Sequence, residues 1–366
     1  MIFGKKNWLL GILLFAVFLS SLLTGPADAQ QFVPADSTAI QYFGRWDQSG
    51  AGRARTGRGA AYLRVDFTGT SLKLCLRDTQ NWWRYSIDGT EYTKFRPMTE
   101  ETVLAENLAP GRHQLFLVRC TEGRYGISTL DGMKLDDGAE LLAAAQPSPR
   151  RIEIVGDSIA AGANNDGPAG LSYRSKEDGS AAFAPELARQ LGAEWSVVAK
   201  SGEGIVHNYG ESWPGDGLHA EDTYARTFYT QAEPVWNPDR FPPQVILIAL
   251  GTNDFTDAQR KPEEADFAAG YERLVRLIRK MNPEAVIIGV EPVPAVIGPK
   301  AGEWEQQTIQ RLRAEGDQKL HYIPLNASGP LLQEADYAGD GTHPTAAGAK
   351  KLADYLHGPV AEIMGW

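Results

Sequence analysis

The chain has 366 residues, a formal net charge of −10 at pH 7 and a hydrophobic fraction of 43%, long enough for two domains that each bury a core. Such acidity argues against nucleic acid or an anionic membrane surface as partner and favours neutral ligands. Two cysteines and six histidines, in no metal-ligating spacing, exclude a disulfide scaffold and a zinc centre, so no metal and no cofactor is expected.

Lys5 and Lys6 precede an apolar stretch from Trp8 to Leu23, followed by Ala27-Asp28-Ala29. Charge, then an apolar run, then small residues around a cleavable bond read as a signal peptide over residues 1–29. The apolar run falls short of the roughly 20 residues that span a bilayer, which weighs against the alternative of an uncleaved anchor. The mature protein is expected to be secreted or periplasmic, with no membrane contact after cleavage.

Residues 30–145 are expected to form an N-terminal β-sandwich of jelly-roll type. From residue 38 to about 142 short strands alternate, as in "YLRVDF" and "SLKLCL", and Asp88-Gly89, Pro110-Gly111 and Asp131-Gly132 supply the turns between them. Cys75 and Cys120 sit in differently patterned strands, so unpaired thiols are expected. Trp82 and Trp83 are adjacent on a strand and must face opposite ways, which places one of them in the core. The stretch "AAAQPSPRR" breaks any helix at Pro147 and Pro149 and marks a boundary.

Beyond it, over 150–366, strands alternate with helices. The runs "RIEIV", "WSVVAK", "QVILIAL", "AVIIGV" and "HYIPL" are apolar on both faces, and the stripe Phe267, Tyr271, Leu274, Val275, Ile278 marks a helix between two of them. A helix near 302–315 and a closing helix carrying Ala349, Leu352, Ala353 and Leu356 follow. Doubly apolar strands separated by amphipathic helices predict an α/β/α, flavodoxin-like parallel sheet, in which sites form outside the carboxyl ends of the strands.

Four polar segments fall at such ends or at a helix start: "GDS" (156–158), "SGEGIVHN" (201–208), "GTND" (251–254) and "DGTHPT" (340–345), the last with Pro344 at the first turn of the closing helix. Each alone is an ordinary turn or cap. Together they supply the parts of acyl transfer. Ser158 is a hydroxyl nucleophile, His343 its base, and Asp340 the carboxylate that orients the imidazole. The backbone N–H groups of Ser158 and Gly204 and the amide of Asn253 are candidate oxyanion donors. Asp157 and Asp254 read as acceptors that brace loops, and His207 as a loop-bracing side chain.

The order GDS, glycine loop, GTND, DxxHP resembles the SGNH superfamily of GDSL-type esterases. More narrowly, "RRIEIVGDSIAAGANNDG", "SGEGIVHNYG" and "FTGTSLKLCLRD" resemble carbohydrate esterase family 2, across nearly the whole mature chain. That resemblance implies a jelly roll ahead of an esterase domain. It also implies removal of O-acetyl groups from acetylated poly- or oligosaccharides of the xylan or glucomannan type, at pentose or 6-O-acetyl hexose units. Some members of that family orient the histidine through a main-chain carbonyl, whereas this chain offers Asp340. Trp213, Trp236 and Trp304 lie in loops of the second half and could stack on a sugar ring. Two other functions stay open: a lipolytic or thioester hydrolase of the same superfamily, and a non-catalytic polysaccharide-binding protein. Oligomeric state is not legible in the residues.

Overall fold

In the computed structural model, residues 30–167, 170–212, 217–256, 260–294 and 300–366 are described. The signal peptide expected over 1–29 and the candidate Trp213 lie outside them. Two six-stranded antiparallel sheets fill the first half, and a five-stranded parallel sheet the second.

The antiparallel sheets face each other across one apolar core. Leu63, Val65, Phe67, Leu115 and Leu117 come from one sheet, and Leu72, Leu74, Leu76, Met133 and Leu135 from the other. The strand Tyr62–Gly69 pairs with Gly111–Arg119 over its whole length, so the alternating pattern is held in register and its apolar face stays inward. Trp83 is the core member of its pair, fully buried. Both cysteines are buried and unpaired. One strand precedes the alternation, Gln30–Pro34, an exposed strand paired to Ser128–Asp136. It buries almost nothing, so it carries no apolar signal.

The parallel sheet has the order Glu194–Ala199, Arg151–Gly156, Val245–Ala249, Val286–Val290, Leu320–Ile323. Its strands are apolar on both faces because both are covered. Ile152, Ile154, Val197 and Leu247 pack under the helices Phe183–Gln190 and Ala346–Met364, while Val155, Val198, Ile246 and Ile248 pack under Glu264–Met281 and Lys300–Ala314. The chain leaves the Arg151–Gly156 strand towards one edge and later returns to its other side. This makes its carboxyl end the switch point where such sheets open a crevice.

The two halves share a boundary core. Tyr62 stacks on Trp195 with ring centroids 4.0 Å apart, and the Trp195 indole N–H donates to Ala60 O at 2.9 Å. Buried Arg45 pairs with buried Glu153 at 3.2 Å. The Arg58 guanidinium donates to the carbonyls of Thr223 and Arg226 at 2.9 and 2.8 Å. No helix among the described residues is long and apolar enough to cross a membrane.

Candidate active site

Ser158 opens a four-residue helix, Ser158–Ala161, directly after the Arg151–Gly156 strand. Asp157 caps it, its carboxylate accepting from Ile159 N at 2.9 Å. Gly156 has no Cβ because Ala160 would meet one at 2.6 Å; the tight strand-to-helix turn requires glycine. Ser158 is 4% exposed, and its backbone N–H lies in the first turn, where a helix offers no internal acceptor.

The expected base, His343, arrives from the other end of the chain. His343 Nε2 lies 2.9 Å from Ser158 Oγ, and His343 Nδ1 lies 2.8 Å from Asp340 Oδ2. Ala338 N donates to His343 O at 2.8 Å, and Thr345 caps the last helix through Gly348 N at 3.1 Å. That helix starts at Ala346, so Pro344 stands one residue before the cap, outside the first turn. Asp340 collects more than the imidazole. Thr342 N and His343 N donate to Oδ1 at 3.0 and 2.9 Å, and Asn164 Nδ2 donates to Oδ2 at 2.7 Å. Desolvation opposes the charge, but these donors outweigh it and hold the carboxyl well below the usual carboxylate range.

Asn253 reaches the same place from the loop after Val245–Ala249. Its amide donates to Glu203 O at 2.8 Å, and the same nitrogen is 3.3 Å from Asp157 Oδ2. Asp254 accepts from Ile205, Val206 and His207 N–H groups, the latter two at 2.7 and 3.0 Å. It stitches the glycine loop to the GTND loop, as a bracing acceptor should. His207 Nε2 lies 3.0 Å from Glu211 O, inside the loop.

Gly204 departs from its expected role. Its N–H donates to Asn208 Oδ1 at 3.0 Å, and a Cβ there would lie 2.0 Å from His207 O. This glycine serves a close backbone crossing. The glycine that lines the cavity is Gly202, at φ +80°. It sits in a turn closed by Glu203 N donating to Lys200 O at 3.1 Å, and Tyr209 N donates to Gly202 O at 2.9 Å. The Gly202 N–H has no partner among the described residues.

A cavity of about 770 Å³ holds Ser158, His343, Asn253 and Gly202. Tyr209, 70% exposed, stands at its wall. Tyr173 OH approaches His343 Nε2 at 3.5 Å, with its ring edge-on to the imidazole. Arg124 reaches into the cavity from the N-terminal sandwich. Trp236 and Trp304 do not. Trp236 is 6% exposed, in the core beneath the Arg45 guanidinium. Trp304 packs on Phe255 and Phe267, with centroids 5.6 and 5.8 Å away, and lines a separate small cavity. No cluster of metal-ligating side chains occurs among the described residues.

Fold and site together define the class: an ester hydrolase of the GDSL type. Residues 154–351 match the GDSL-like lipase/acylhydrolase family, and residues 42–145 match the carbohydrate esterase 2 N-terminal domain. The chain belongs to the GDSL-like lipase/acylhydrolase family and, within it, groups with the family two carbohydrate esterases. The cellulase/esterase CelE of Acetivibrio thermocellus is 27% identical over 354 residues, covering 93% of this chain but 41% of CelE, so the chain spans less than half of that relative. An acetylxylan esterase/glucomannan deacetylase of Cellvibrio japonicus is 27% identical over 311 residues, 81% of this chain and 82% of that one. The structure of a family two carbohydrate esterase from Clostridium thermocellum in complex with cellohexaose matches with a TM-score of 0.80 at 27% identity, covering 89% of this chain and 99% of that one.

Proposed function

We propose that this protein is an exported carbohydrate O-acetyl esterase acting through an acyl-enzyme on Ser158. The observation that carries the reading is the unbroken hydrogen-bonded run from Ser158 Oγ through His343 to Asp340, ending in an open cavity. Ser158 Oγ attacks the acetyl carbonyl while His343 Nε2 takes its proton, and the resulting imidazolium faces the Asp340 carboxylate. Collapse of the tetrahedral adduct breaks the bond to the sugar oxygen, which receives the proton from His343. Water then attacks the acetyl-serine with His343 as base, releasing acetate.

The oxyanion is assigned to Gly202 N–H, Ser158 N–H and Asn253 Nδ2, whose long contact to Asp157 is readily exchanged for a developing negative charge. The wall argues for a sugar leaving group: Tyr209 offers a flat exposed ring, and Lys200, Ser201 and Thr342 are polar. The Cellvibrio japonicus relative is named an acetylxylan esterase/glucomannan deacetylase, and the proposed substrates are acetylated poly- or oligosaccharides of that kind. The leader over residues 1–29 supports export to where such polymers occur.

Acetate release from acetylated xylan, glucomannan and simple sugar acetates tests the proposal. Wild type should release acetate and Ser158→Ala should not. Preference for octanoyl over acetyl esters would replace it with a lipolytic reading, and polymer binding without hydrolysis would replace it with a binding one.

A further inference from the structure

We propose that Glu122, in the N-terminal sandwich, is a positioning residue for the oxyanion-binding turn of the C-terminal half. Its carboxylate holds the Ser201 amide and thereby aims the next amide, Gly202 N–H, at the ester. The inference rests on the esterase reading above.

Glu122 lies between the strand Gly111–Arg119 and the short turn Gly123–Tyr125, and its side chain is wholly buried. One carboxylate oxygen accepts from Ser201 N across the boundary between the halves. The other faces Arg124 Nε at 2.7 Å. The residue's own N–H donates to the Glu177 carboxyl. Its backbone is fixed against the sandwich, since a Cβ at Gly123 would lie 2.2 Å from Gly57 O. On the far side of the turn, Gly202 O accepts from Tyr209 N at 2.9 Å. The peptide joining Ser201 to Gly202 is therefore pinned before and after, and Gly202, whose N–H is left over, lines the cavity.

A carboxylate withdrawn from water costs several kcal/mol unless it is fully paired, so packing alone would be met better by an apolar side chain. Burial pushes the Glu122 carboxyl up while Arg124 and the Ser201 N–H act against it. Glu177 is pushed well above the usual range by burial and by the charge of Glu122. Of the two carboxyls, it is Glu122 that faces both the Arg124 guanidinium and the Ser201 N–H. In this arrangement the sandwich is part of the active site.

The test is steady-state hydrolysis of 4-nitrophenyl acetate by full-length Glu122→Met and Glu122→Gln. Methionine fills the volume without an acceptor, whereas glutamine keeps an oxygen for the Ser201 amide. The methionine variant should lose at least about tenfold and at most about 10²–10³-fold in kcat, the upper figure being the cost of a lost oxyanion donor, with KM within about twofold and a melting curve that shows it folded. Glutamine should restore kcat to within about fivefold of wild type. Equal losses in both variants, an unchanged kcat in Glu122→Met, or a change confined to KM would overturn the inference. Should Glu122→Met not fold, Arg124→Met takes its place. Loss of its ion pair should loosen the carboxylate and lower kcat about tenfold, and an unaltered kcat would overturn the inference. An inactive wild type would instead overturn the esterase reading.

Discussion

At the residue scale, the orienting carboxylate carries the sharpest expectation. Asp340 accepts from Asn164, Thr342 N, His343 N and His343 Nδ1, so it stays ionised wherever the imidazole can act as a base. Asp340→Asn should keep the loop but present an amide to His343 Nδ1 and favour the wrong tautomer. A fall in kcat of about 10²–10⁴ is expected, measured with 4-nitrophenyl acetate; a loss under tenfold would mean that a main-chain carbonyl does the orienting. Asn253→Ala should lower kcat by about 10²–10³ with a smaller change in KM, as loss of an oxyanion donor does. That Ser158, His343 and Asp340 meet was legible in the chain, because they sit in two of four short polar segments that fall at strand ends or at a helix start in a fixed order. The glycine donor proposed above, Gly202, was not. Gly202 and Gly204 differ only in what surrounds them, and the contact that reserves Gly204 for a backbone crossing, 2.0 Å from a Cβ to His207 O, exists only after folding. Tyr209 was not among the sugar-stacking candidates, which were the loop tryptophans, and of these Trp236 and Trp304 pack their rings against the core.

At the scale of elements, the loops beyond the parallel strands are held by buried carboxyls, and these set how stability responds to pH. Glu203, in the glycine loop, is pushed up to about 7 by burial, against a hydrogen bond from Thr223 and the nearby Arg58 and Lys200 charges. Its folded value exceeds the unfolded one of about 4.3. The stability it confers is therefore full below about pH 4 and lost as pH rises through 7, on the order of 3 kcal/mol by pH 8. Asp157, pushed up to about 6 by burial, acts in the same direction. Wild type should melt at a higher temperature at pH 5 than at pH 8, and Glu203→Gln should reduce that difference by more than half. Parallel curves for the two proteins would show that Glu203 does not titrate there. The helices and strands themselves were readable because an apolar stripe or a doubly apolar run is a local property. The strand Gln30–Pro34 was not, since it lies exposed along its partner and buries too little to leave a pattern.

At the scale of the whole molecule, the two halves behave as one packing unit. Alternation in "YLRVDF" assigns Leu63 to the sandwich core, yet Tyr62 on the opposite face is also fully buried, because Phe43, Phe116 and Trp195 close over it. A pattern read within one domain cannot show that its outer face belongs to the next. Polar groups follow the same logic. Arg45 leaves the sandwich to meet Glu153, on the Arg151–Gly156 strand, which Tyr224 and Ser196 also contact at 2.9 and 2.8 Å. The guanidinium lies over the Tyr224 and Trp236 rings at 4.9 and 5.5 Å. Arg45→Met would keep most of the volume but strand a buried carboxylate, and removing one partner of such a pair costs about 3–5 kcal/mol. Urea denaturation should show that loss as a lower midpoint, in a single transition for both wild type and variant, followed by tryptophan fluorescence and by circular dichroism. Because Trp83 reports on the sandwich and Trp195 on the boundary, two separated transitions would mean that the halves unfold independently and that the pair contributes only to local packing.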